Sequence, residues 1–202
     1  MKYEKEKNMA LWGTSDADES KPKNLTTAEK KEVFATSSGW VREAGSILSG
    51  NGNTNADPEV LVAISGLAVS IGAADVTEVE WITTAADKSA GYTLSVRVRY
   101  NEQVTVTGNP TLAVTNGNQG SGSGRGPHTL VYASGTGTNE LVFSLAIAAG
   151  SNAAKANDVL TIGAQNIALA GGTLKDKGTS TNSAVAISGA QGTAAGSITV
   201  VA

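Results

Sequence analysis

Tyr92-Thr-Leu-Ser-Val-Arg-Val-Arg-Tyr100 sets a large apolar or aromatic side chain at every second position and a polar one between. Successive side chains of a strand point to opposite faces. This period of two therefore predicts a strand with Tyr92, Leu94, Val96, Val98 and Tyr100 inward and Thr93, Ser95, Arg97 and Arg99 wet. Shorter runs of the same kind surround it: Val60-Leu-Val-Ala-Ile64, Val76-Thr-Glu-Val-Glu-Trp-Ile-Thr-Thr84, and residues 104–106, 111–114, 130–132, 141–147, 159–162, 184–187 and 197–201. Val76 stands one position out of phase with Val79 and Trp81, which predicts a bulge or strand boundary near Glu78. No long helical period interrupts the series. The intervals predict an all-β chain arranged as a Greek-key sandwich.

The 202 residues suit one β module of somewhat over a hundred residues with an appendage. With 24 Gly, 16% charged and 4% aromatic residues, the chain has few large side chains for its core. Burial stabilises at roughly 25 cal/mol per Å², so a core of Ala and Val predicts modest stability and an assembly in preference to a lone monomer. A net charge of −3, with no basic run interleaved with aromatics, argues against nucleic acid as a partner. The absence of cysteine excludes disulfides and thiolate metal sites. No apolar run approaches the ~20 residues needed to span a bilayer. The N-terminal charges have no apolar segment behind them, so neither a membrane partner nor an ordinary signal peptide is expected.

Charge divides the chain, because residues 1–34 carry about 14 of its charged side chains. Residues 1–24 offer little to bury and read as an extended arm. Thr26-Thr-Ala-Glu29 has capping-box spacing, which predicts one short helix over about 26–34. Gly50-Asn-Gly-Asn-Thr-Asn-Ala-Asp-Pro58 is a cluster of turn formers and reads as a linker. The expected organisation is thus an N-terminal arm with its helix and linker over 1–58 and a β-sandwich over 59–202. Trp12, Phe34 and Trp40 are the arm's candidate anchors, docking either on the same chain or in pockets of a neighbouring subunit.

Asn116-Gly-Asn-Gln-Gly-Ser-Gly-Ser-Gly-Arg-Gly-Pro127 reads as an enlarged loop, with Arg125 and His128 as its polar features and Arg125 as a candidate contact. It is not a phosphate cradle, since Thr129-Leu-Val-Tyr132 returns directly to strand where that motif needs a helix. His128 is the only histidine and has no partner specified by the sequence, so no catalytic residue is assigned. Glu78 and Glu80 share a wet strand face, where Arg97 and Arg99 are their expected partners. Asp57, Asp75, Asp158 and Asp176 match no calcium-loop spacing, and no metal or cofactor is expected. The apolar strand ending the chain is expected either to close the sheet or to add to a neighbour's edge.

Three phrases carry a resemblance: Tyr100-Asn-Glu-Gln-Val-Thr-Val-Thr-Gly-Asn-Pro-Thr-Leu112, then Tyr132-Ala-Ser-Gly-Thr-Gly-Thr-Asn-Glu-Leu-Val-Phe143, then Leu169-Ala-Gly-Gly-Thr-Leu-Lys-Asp176. With Gly150 they resemble the bacterial immunoglobulin-like repeats of large surface adhesins and phage structural proteins, over roughly residues 76–187. The phrase Met9-Ala-Leu-Trp-Gly-Thr-Ser-Asp-Ala-Asp-Glu-Ser-Lys-Pro-Lys23 resembles the opening of small virion structural proteins of tailed phages, particularly contractile-tailed phages of marine cyanobacteria. The two imply an immunoglobulin-like sandwich in a non-enzymatic virion protein, assembled in the host cytoplasm. A capsid decoration or cement protein is the implied form, partnered by the major capsid protein or other virion subunits, as a homo-oligomer or bound to the lattice. The alternative is a tail, fibre or adhesin-like module that binds a host surface glycan or receptor.

Overall fold

Thr26 caps α1 (Thr27–Lys31): its hydroxyl accepts from the Glu29 N–H, while Glu29 accepts from the Thr26 N–H. The box is the one read in the sequence, but the helix stops short of residue 34. Val33-Phe-Ala-Thr36 is β-branched and aromatic, and it enters strand β1 (Val33–Thr36) instead. The structure, a computed structural model, describes residues 21–22, 24–50, 52–117 and 125–202. It divides into two compact units, the first ending at Gly72 and the second beginning at Ala73.

In the first unit β1 pairs antiparallel with β2 (Gly39–Arg42), and β2 with β3 (Glu59–Ala63), with a bulge between Trp40 and Val41. A 3-10 turn spans Ile47–Ser49, and α2 (Leu67–Ser70) follows the third strand. Val33, Ala35, Trp40 and Leu67 form the core, packed by Leu25, Leu61, Val62, Ile64 and Ile71. Arg42 reaches Glu29 of the capped helix at 3.2 Å and Glu59 at 3.7 Å, and Ser46 donates to Glu32. Two expectations change here. Residues 33–42 are a folded hairpin and not part of an extended arm, and Val60-Leu-Val-Ala63 belongs to this hairpin's sheet, so the unit extends past Pro58 to Gly72.

The second unit contains β4 (Val76–Trp81), β5 (Ala86–Asp87), β6 (Tyr92–Thr107), β7 (Thr111–Gly117), β8 (His128–Ser134) and β9 (Thr138–Ile147). Then come β10 (Val159–Thr161), β11 (Gln165–Asn166), β12 (Thr173–Asp176), β13 (Ala186–Ile187), α3 (Gly189–Ala195) and β14 (Ser197–Val201). The pairing order is β6-β9-β8-β7-β10-β14-β5, with β4 and β12 also paired to β6 and a small β11-β13 ribbon apart. These pairs are antiparallel except β14 with β5. The protein is mostly β, as read from the sequence. Three α-helices occur among the described residues in place of one, the last capped reciprocally by Ser188 and Gln191.

The alternation at 92–100 continues through 106, so the runs 92–100 and 104–106 are a single strand with its register to β9 broken between Arg99 and Val104. The bulge expected near Glu78 lies between Val76 and Glu78. β5 lies between β4 and β6 in sequence yet pairs at the opposite end of the strand order. The unit is thereby wrapped around one core, in which Leu94, Val96, Val98, Leu112, Leu130, Leu141, Phe143, Leu160 and Val200 are fully buried. Tyr132 meets Phe143 edge-on with ring centroids 6.1 Å apart. The β8–β9 turn needs a glycine: Gly135 has φ +113°, and a Cβ there would press on the Glu140 carbonyl. The terminal strand closes its own sheet between β10 and β5.

Candidate functional site

Polar side chains gather at both ends of the glycine-rich segment. Asn116, the penultimate residue of β7, donates from Nδ2 to Asp158 Oδ2 at 2.9 Å, and that Nδ2 lies 3.3 Å from His128 Nε2 and 3.4 Å from the Ala153 carbonyl. Arg125 Nη1 lies 3.2 Å from Asp158 Oδ1, and the Lys155 N–H donates to Oδ2 at 2.8 Å. Asp158 is fully buried and the Arg125 side chain almost so. Burial pushes the His128 imidazole down, against the pull of Asp158, and pushes the Tyr92 phenol up with the same carboxylate adding to it. A neutral His128 accepting at Nε2 has its proton on Nδ1, an assignment that follows from the Asn116 bond.

Two donors converge on Asp158 Oδ2, the Arg125 charge faces Oδ1, and the imidazole is buried against an amide. The arrangement fastens the base of the segment where residues 117 and 125 leave and return. Arg125 therefore occupies a buried ion pair and not an exposed contact tip, because Asp158, immediately before β10, draws it inward. Sequence reasoning missed Asp158 as the shared partner of Asn116 and Arg125, since 42 residues separate it from Asn116.

The outward face of β4, β6 and β9 carries a ladder of charge. Arg97 Nη1 lies 2.8 Å from Glu80 and 3.5 Å from Glu140, while Arg99 reaches Glu140 at 2.7 Å, Glu78 at 3.4 Å and Glu80 at 3.5 Å. Glu78 and Glu80 are thus paired with Arg97 and Arg99 as the strand periods predicted, and Glu140 joins them. Arg97→Ala is expected to cost about 0.2–1 kcal/mol, as for partly exposed pairs. Arg99→Ala, whose side chain is only 9% exposed, is expected to cost about 1.5–3 kcal/mol. Urea denaturation checks both, and equal losses would contradict the ordering.

Of the other residues singled out in the sequence, Trp12 lies outside the described residues. Phe34 and Trp40 are 3% and 2% exposed. Both are buried in this conformation, and Trp40 is part of the first unit's own core. The large apolar side chains exposed among the described residues of the first unit are Ile47, Leu48, Val60 and Val69, with Ile47 at 87%. Among the described residues no group of three His, Cys, Asp or Glu side chains could hold a metal ion. No helix among them is long and apolar enough to cross a membrane. No family model, no curated protein and no solved structure matches this chain.

Proposed function

We propose that the second unit is an immunoglobulin-like Greek-key sandwich in a non-enzymatic virion structural protein, a capsid decoration or cement protein docked to the outer head surface through its first unit. The order β6-β9-β8-β7, three hairpin-connected strands with the preceding strand laid beside the last of them, supports the Greek-key part. The parallel β14–β5 pair supports the closure expected of such a sandwich. The phage resemblance of residues 9–23 supports the virion part, with the major capsid protein or other virion subunits as partners.

The observation that carries the docking assignment is the set Ile47, Leu48, Val60 and Val69, exposed on a small unit in which Phe34 and Trp40 are already buried. Large apolar side chains left in water on so small a unit favour an interface. The reading moves the anchor from Phe34 and Trp40 to these exposed side chains, with Trp12 retained as a partner residue of the N-terminal segment. Ile47→Asp combined with Leu48→Asp should weaken binding to particles at least roughly tenfold, the effect of about 1.4 kcal/mol. Cryo-electron microscopy of isolated particles, with mass spectrometry for copy number, tests the location. Copies repeating over the head lattice support a cement role. A few copies at a tail or fibre would overturn it in favour of host glycan or receptor binding.

A further inference from the structure

Glu102 occupies an inward position of β6, two residues after Tyr100 and two before Val104, so a carboxyl group stands where the strand alternation puts core side chains. It is 1% exposed, and neither of its oxygens has a hydrogen-bonding partner. Asp176, which closes β12, is in register with Val104 and is as deeply buried. That register puts it on the same face as Glu102 and diagonal to it across the ladder, within reach of a long side chain. Asp176 Oδ1 accepts from the Thr179 N–H at 2.6 Å and lies 3.1 Å from the Thr179 hydroxyl, whereas Oδ2 has no partner. Asp75, on the segment before β4, adds a further negative charge. The charged groups bearing on Glu102 from β12 and from the β4 side are both acidic.

Two ionised carboxylates side by side in a core repel and lose hydration together, so one of them must be neutral. Hydrogen bonds to the charged form decide which. Asp176 has the Thr179 donors and Glu102 has none, a difference that favours the proton on Glu102.

We propose that Glu102 and Asp176 share a single proton, with Glu102 the acid donating toward Asp176 Oδ2, and that this pair is a pH-sensitive latch holding β12 and its following turn to β6. Burial, with the Asp176 and Asp75 charges adding to it, pushes the Glu102 carboxyl up to about 9 from an ordinary value of 4.5. The folded pKa lies above the unfolded one, so between these values the folded chain keeps a proton that the unfolded chain releases. The latch's contribution is whole below the unfolded value and drains away as pH rises toward about 9. The inference does not depend on the virion reading.

Infrared difference spectroscopy of the full chain reads the proton directly. A protonated-carboxyl C=O band should be present at neutral pH, vanish at alkaline pH, and be missing from Glu102→Gln. The melting temperature of the wild type should fall from mildly acidic to alkaline pH, with the Glu102→Gln curve flatter and higher at the alkaline end. Absence of the band at neutral pH, or its persistence in Glu102→Gln, overturns the proposal. So does a calcium-dependent rise in wild-type melting temperature that Glu102→Gln lacks, which would make the pair a cation site. Should Glu102→Gln not fold, Asp176→Asn decides: removing the neighbouring charge should lower the band's titration midpoint by ~1 pH unit or more, and an unmoved midpoint overturns the latch.

Discussion

Asp158→Ala should destabilise the second unit by about 3–5 kcal/mol, the scale set by removing one partner of a buried ion pair. The carboxylate accepts from Asn116 Nδ2 and the Lys155 N–H and faces Arg125 Nη1. Its removal leaves the Arg125 guanidinium, 4% exposed, without that counter-charge. Most of the loss is the cost of keeping that guanidinium buried without this carboxylate and not the net strength of the pair. The double variant Arg125→Ala with Asp158→Ala should therefore be less destabilised than Asp158→Ala alone. Guanidinium denaturation of the three variants measures the coupling. A double variant as unstable as the sum of the singles would mean that Arg125 and Asp158 act independently.

Trp40→Ala should cost about 3–5 kcal/mol, the range for truncating a large buried aromatic. The first unit's core otherwise consists of Val33, Ala35 and Leu67 with half-buried aliphatics around them, so little remains to hold it. Amide exchange in β1, β2 and β3 should accelerate by orders of magnitude. If protection there survives, Trp40 is not the residue on which that sheet packs, and a role in contacting another subunit would return. This contrast separates the buried position of the side chain from the surface role its polar sequence surroundings suggest.

The parts of the fold legible in the sequence were those with a clean local period or a local bond. Tyr92 to Tyr100, the out-of-phase Val76 and the Thr26–Glu29 box each depend on residues within one turn or one strand. The Ser188–Gln191 box was equally local and was overlooked because the glycines around it suppress any helical expectation. The β1–β2 hairpin is masked in the sequence because Lys and Glu crowd its approach, and its Phe34 and Trp40 read as anchors of an arm. Glu102 was hidden for a related reason: a charged letter at an inward position interrupts the alternation that marks a strand, splitting β6 in two. The Asn116–Asp158–Arg125 network was illegible in principle, since its members meet only after β7 and β10 pair.

The parallel pairing of Ala86 with Val200 has a kinetic consequence. One of the first strands of the second unit finds its partner in the last, so this contact encloses nearly the whole unit and its loop-closure entropy falls due before the contact can reward it. Refolding should be slow for a unit of this size, and a ribosome-bound chain cannot complete the wrap until residues 197–201 have left the exit tunnel. Until then β5 and β10 each present an open backbone edge. The interval between synthesis and closure is when the chain is most exposed to pairing with a second nascent copy.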